Sequence, residues 1–87
     1  LRREYQTLRE FDRSFKRLPE RIRSEVMEKL ERFIADPTHP SLRVKRVKGT
    51  DRIWEMSITM NYRLTFEVDE KRVLLRRIGT HDGLWRP

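Results

Sequence analysis

Nine residues near the C-terminal end, Arg77-Ile78-Gly79-Thr80-His81-Asp82-Gly83-Leu84-Trp85, hold one of the chain's two histidines, two of its three glycines and one of its two tryptophans. An imidazole with a reference pKa near 6.5 exchanges protons at neutral pH, a contribution worth roughly 10²–10⁴-fold to a reaction rate. The preceding run, Arg72-Val73-Leu74-Leu75-Arg76-Arg77-Ile78, is apolar and β-branched enough to read as a strand. His81 therefore stands at a strand's exit, where Gly79 can adopt backbone angles closed to other residues. The plainer alternative is that Asp82-Gly83 is an ordinary turn and His81 a surface residue.

A second concentration of chemistry is positive charge. Arg43, Lys45, Arg46, Lys48 and Arg52 crowd one segment, with only Asp51 among them. Like charges this dense sit more comfortably against phosphates than alone. A solvated edge strand, kept basic to prevent sheet-to-sheet pairing, is the other reading. With Arg63, Arg77 and His81 these cations form an inventory suited to cutting RNA through its own 2′-hydroxyl without a metal. One group removes the 2′ proton, another protonates the departing 5′ oxygen, and fixed cations stabilise the phosphorane. Tyr62 and Trp85 are candidates to stack on bases, and Asn61 to contact the same strand. Trp54 falls in an apolar register and is assigned to the core.

Other chemistries lack their residues. The two histidines, His39 and His81, stand far apart with no carboxylate pattern beside them, so no zinc site or other cofactor is expected. Gly79 and Gly83 make no phosphate loop, and Ser14, Ser24, Ser41 and Ser57 occupy no nucleophile elbow. His39, between Pro37 and Pro40, is read as a loop residue.

At 87 residues the expectation is one domain spanning residues 1–87 with one modest core. The net charge of +7 is uneven: residues 1–38 carry +2 and residues 39–87 carry +5. Such a balance suits a polyanionic partner, nucleic acid or an acidic protein segment. No cysteine is present, which fits a reducing cytoplasm, and no apolar run exceeds Val73-Leu74-Leu75, so no membrane span is expected. No signal peptide is evident.

The elements that must position these groups follow from periodicity. Residues 4–11 read as a first strand. Asp12 is placed as N-cap of a short helix through Leu18, with Phe11, Phe15 and Leu18 on one face. Pro19 breaks that helix and suits the first turn of the next, in which Ile22, Val26, Leu30, Phe33 and Ile34 make an apolar stripe. Asp36-Pro37 ends it. Leu42–Gly49 alternates with a slip between Val44 and Val47, read as a bulge. Ile53–Met60 and Tyr62–Val68 alternate cleanly, with turns at residues 49–52 and 69–71. Turns this short require antiparallel neighbours. The expected fold is α+β: an N-terminal helical hairpin packed on a curved, mainly antiparallel sheet of four to five strands. The face opposite the helices is left for function, with Arg63, Ser57, Lys45, Lys48 and Arg77 on it or on its rim.

Read in order, Phe15-Lys16-Arg17-Leu18-Pro19, His39-Pro40-Ser41-Leu42, Val47-Lys48-Gly49, Ile53-Trp54, Asn61-Tyr62-Arg63-Leu64 and Arg77-Ile78-Gly79-Thr80-His81 resemble the RelE/ParE superfamily of toxins from toxin–antitoxin pairs. The likeness is greatest to the RelE and YafQ-like ribonuclease branch. It implies ribosome-dependent cleavage of messenger RNA in the A site by a cytoplasmic protein, monomeric when free and restrained by a cognate antitoxin. It also implies roles: His81 as the catalytic histidine, Arg63 and Arg77 at the phosphate, Lys45 and Lys48 in the lysine-bearing strand, and Trp85 near a C-terminal aromatic of the site. Ser57 and Asn61 depart from the pattern, since YafQ-like toxins carry a histidine and an aspartate there. The proton acceptor is thus open between a lysine and no acceptor at all, the latter giving a slow or inactive member. The alternatives are a ParE-like inhibitor of DNA gyrase and a degenerate toxin that only binds its antitoxin.

Overall fold

The computed structural model describes residues 3–80. Strand β1 (Glu4–Thr7) leads into helices α1 (Arg9–Arg17) and α2 (Glu20–Ala35), a 3-10 turn (Pro40–Leu42), and strands β2 (Lys45–Arg46), β3 (Trp54–Ser57), β4 (Tyr62–Val68) and β5 (Arg72–Thr80). The strands form one five-stranded sheet in the order β1-β5-β4-β3-β2. Every pairing is antiparallel except that of β1 with β5, which is parallel and makes the sheet mixed.

Both helices pack on one face. Phe11, Ile22, Val26 and Phe33 from the helices and Leu18 from between them meet Met56, Leu64, Phe66, Val73, Leu75 and Ile78 from the strands in one buried cluster. Val26, Leu42, Met56 and Leu64 are wholly buried, each worth about 1.5–3 kcal/mol of apolar transfer. The stripe expected on α2 forms, except that Ile34 turns outward and is 57% exposed. It follows Phe33 directly, and successive residues in a helix diverge by about 100°. Leu18 and Pro19, both extended, separate the helices as the proline requires.

The structure also corrects expectations about where elements begin and end. The first strand ends at Thr7 and α1 already begins at Arg9, so Asp12 lies in its first turn rather than at its N-cap. There Glu10 and Asp12 face the positive end of the helix dipole. The segment expected as strand 42–49 pairs only at Lys45 and Arg46. Upstream, the 3-10 turn is capped by the His39 ring, whose Nδ1 accepts from the Ser41 N–H at 3.1 Å, and Arg43 takes a left-handed conformation (φ 48°) that turns the chain. The bulge also lies elsewhere. It falls in β5, where Thr65 pairs with Arg77 but Phe66 pairs with Leu75, leaving Arg76 as the extra residue.

That bulge coincides with a change of partner along β5. β1 accompanies β5 only as far as Leu75, and the Leu8 N–H closes the pairing on the Leu75 carbonyl at 2.9 Å. Beyond it α1 lies along the strand's edge, and Ser14 Oγ accepts from the Ile78 N–H at 3.1 Å. The junction between strand and helix therefore opens beside two consecutive arginines.

Candidate functional site

Residues opposite one another in an antiparallel pair share a face. The registers place Glu55 and Lys45 together, Glu55 beside Thr65, Thr65 beside Arg77, and Ser57 beside Arg63, all on the face away from the helices. The bulge holds both Arg76 and Arg77 on this side, since an extra residue interrupts the strict alternation. Arg76 Nη1 donates to Glu67 Oε2 at 2.5 Å. No carboxylate among the described residues lies within ion-pair distance of Arg77, Lys48 or Arg63.

Two hollows divide these cations. The first is a groove of about 380 Å³ with an aliphatic floor of Leu8, Val47 and Ile53 and with Lys48, Arg76, Arg77 and Glu10 around it. Its wall on one side is the turn Val47–Thr50, where Gly49 has φ +85°. A Cβ at Gly49 would meet no atom within 4 Å, so the backbone angle rather than space calls for glycine there. The second hollow, about 250 Å³, brings Lys29, Arg43 and Arg63 together with Ser41 and Ser57. Arg63 is fixed in place: its Nη1 donates to the carbonyls of Thr59 (2.7 Å), Met60 (3.0 Å) and Tyr62 (3.1 Å), leaving Nη2 and Nε for other work.

Between the hollows stands a residue that pattern reading passes over. Ile53 lines the groove and Ser57 the second hollow, and two residues of strand advance roughly 6.6 Å. Glu55 is midway, and it is 3% exposed; its neighbour Thr65 is 6% exposed. Lys45 Nζ lies 3.4 Å from Glu55 Oε1, close enough for an ion pair, yet that oxygen has no hydrogen bond. Burying a carboxylate so sparsely partnered costs free energy that a solvated one would not. The signal open to sequence reading was its register: alternation puts this acid on the same face as Arg63 and Lys45.

The remaining candidates disperse. Arg46 pairs with Trp54 and so shares the helix-side face. Tyr62 packs against the core on that same face, and Asn61 lines a hollow there with Arg21, Ile22 and Glu25, so neither ring nor amide joins Arg63 and Arg77. Arg52 stands at the far end of the sheet among Asp51, Glu67 and Asp69. The dense basic segment is thus split between faces by the shortness of β2 and the turn at Arg43. His81 and Trp85 lie outside the described residues. Among the described residues no cluster of histidine or carboxylate side chains could hold a metal ion, and no helix is long and apolar enough to cross a membrane.

No protein-family model and no curated protein sequence matches the chain. Solved structures do. A chain of the E. coli DinJ-YafQ toxin–antitoxin complex superposes with a TM-score of 0.84 at 13% identity, over 98% of this chain and 99% of that one. The RelB-RelE antitoxin–toxin complex of Methanococcus jannaschii gives 0.75 at 19% identity, over 93% and 95%. A YoeB/ParE toxin from Agrobacterium tumefaciens gives 0.76 at 14% identity, over 90% and 98%. With its two helices on one face of a mixed sheet ordered β1-β5-β4-β3-β2, this chain has the fold of the solved YafQ, RelE and YoeB/ParE toxins.

Proposed function

We propose that this protein is the toxin of a type II toxin–antitoxin pair, a metal-independent and ribosome-dependent endoribonuclease that cuts messenger RNA in the A site. The observation that carries the reading is a set of cations around one side of the sheet: a groove with Lys48, Arg76 and Arg77, a hollow at the sheet's end with Lys29, Arg43 and Arg63, and the Lys45–Glu55 pair in the strands between. An RNA strand running from Arg63 on β4 to Arg77 on β5 passes Thr65, with the Lys45–Glu55 pair alongside it on the neighbouring strands. Lys45, 63% exposed, is free to leave the carboxylate for a phosphate. Glu55 then accepts the 2′-hydroxyl proton as the 2′ oxygen attacks phosphorus. The P–O5′ bond breaks, His81 protonates the departing 5′ oxygen, and the products are a 2′,3′-cyclic phosphate and a 5′-hydroxyl end. Arg63 and Arg77 stabilise the charge on the phosphorane.

Inducible expression with mapping of message ends tests this. The parent arrests growth and leaves cuts at codon-linked positions; His81→Ala, still folded, does neither. A folded His81→Ala protein that cuts like the parent removes the histidine from its assigned role.

The likeness to a YoeB/ParE toxin supports a second reading, a ParE-like inhibitor of DNA gyrase. Inhibition of supercoiling by the purified protein, with messages left intact, would select it. The partner in either case is a cognate antitoxin. Met27 and Ile34, seven residues apart on α2 and 51% and 57% exposed, offer it an apolar strip beside the charged faces. Antitoxin binding without cleavage or gyrase inhibition would leave the degenerate-toxin reading.

A further inference from the structure

The groove beside the start of α1 contains one group that phosphate binding does not explain. Lys48 and Arg77 suit a phosphate, but Glu10 is a carboxylate on the same rim, and it repels one. Among the described residues its one ion pair is with Arg13 at 3.7 Å, with both side chains more than half exposed, an interaction of little energetic weight. Glu10 is thus available to something that donates hydrogen bonds. The floor of Leu8, Val47 and Ile53 favours a flat, weakly polar body over a second ion. Arg76, held by Glu67, lines the same space, and a guanidinium can stack on a base.

We infer that this groove is a guanosine-selective base pocket for a nucleotide flanking the cleaved phosphate, with Glu10 reading the base's Watson–Crick edge. An ionised carboxylate only accepts hydrogen bonds, through two oxygens. Guanine alone among the four bases carries two adjacent donors on that edge, N1–H and N2–H₂. Adenine and cytosine each set one amino group beside a ring nitrogen that accepts, and uracil flanks its single N–H with two carbonyls. Each of those three turns at least one acceptor toward the carboxylate. Arg76 stacks on the base, while Lys48 and Arg77 hold its phosphate. The inference rests on the nuclease reading for its place in a reaction, but the pocket is testable without one.

The test is titration of the isolated full-length protein with GMP, AMP, CMP and UMP, followed by amide chemical shifts at Gly49, Thr50 and Leu8. GMP is expected to bind about 10-fold more tightly than AMP, the size of discrimination a bidentate contact provides. Glu10→Gln, which presents one donor and one acceptor, should erase that preference. Arg77→Ala should weaken all four nucleotides alike. On a randomised message, the parent's cuts should cluster beside guanosine and those of Glu10→Gln should spread. Equal affinities for GMP and AMP, or a guanosine preference that survives Glu10→Gln, overturns the inference. So does a groove that takes none of the four, which leaves it as the seat of an apolar side chain from a protein partner. Guanosine-selective binding by a protein that never cuts RNA sinks the nuclease reading and keeps the pocket; cleavage without selectivity does the reverse.

Discussion

Lys45 holds its ammonium 3.4 Å from Oε1 of Glu55, the one buried side-chain polar atom among the described residues that lacks a hydrogen bond. Removing the lysine leaves a buried charge with no cation of the described residues in ion-pair range. Lys45→Met should cost about 1–3 kcal/mol, read as a lower urea midpoint at unchanged slope. Adding Glu55→Gln should return most of that loss. Glu55→Gln alone should leave the midpoint near the parent's and stop message cleavage; a variant that cuts at the parental rate shows that the carboxylate takes no proton.

Arg76 and Arg77 are neighbours on one face with different tasks. Arg76 bonds Glu67, and both side chains are under one-third exposed, so Arg76→Ala should lower stability by about 1 kcal/mol. Arg77 has no such partner among the described residues. Arg77→Ala should leave the melting temperature close to the parent's and weaken RNA binding. The salt dependence should become shallower, by roughly 0.7 in the logarithmic slope for each phosphate no longer neutralised. An Arg77→Ala protein that is destabilised yet binds RNA like the parent would mean that Arg77 serves the fold and not the phosphate.

The β4–β5 turn is closed by Asp69, whose Oδ1 accepts from the Lys71 N–H at 2.8 Å and the Arg72 N–H at 2.9 Å. These backbone donors, Lys71 first and then Arg72, with the charges of Arg72 and Arg3, hold its carboxyl below the ordinary value. A depressed folded pKa means that the unfolded chain binds the proton more readily. The turn's stabilisation is therefore complete above the ordinary carboxylate pKa and is lost as pH falls through the folded one. Denaturant midpoints measured from neutral pH downward should decline less steeply at the acid end for Asp69→Asn than for the parent.

Ser14 supplies what β1 does not. Its hydroxyl takes the Ile78 N–H and donates to the Phe11 carbonyl at 3.0 Å, so it joins α1 to the edge of β5. Ser14→Ala should cost about 1–2 kcal/mol, with faster hydrogen exchange at the Ile78 amide than at Leu64. Unchanged exchange there would mean that the helix alone shields the edge.

How far the sequence foretells this arrangement depends on the range of the forces involved. α2 is legible because Ile22, Val26 and Phe33 recur at its period and Pro19 marks its start. Alternation fixes the faces of β4 and of Trp54–Ser57, and Arg63 and Arg77 fall on the side away from the helices as expected, but the run expected through Met60 stops at Ser57 and Met60 is 88% exposed. The parallel pairing of Glu4 with Arg72 joins opposite ends of the chain, and no local pattern encodes it. Nor does the bulge leave a trace, since two adjacent arginines look alike whichever of them is unpaired. Arg43 in a left-handed conformation defeats a rule that expects glycine or asparagine there. Because alternation gives direction but not depth, it puts Glu55 on the right side yet leaves it indistinguishable from a solvated residue.

Edge strand β1 waits for β5, which follows it by more than sixty residues. While the chain is being translated, residues 4–7 have no partner until residues 72–75 emerge, and pairings over such a span are slow to form. Both groove arginines belong to that closing strand, and Leu8 is brought to them only when it docks. A polypeptide interrupted before β5 has the residues of the hollow around Arg63 but not Arg76 and Arg77, so the groove beside α1 comes into existence only once β5 has been made.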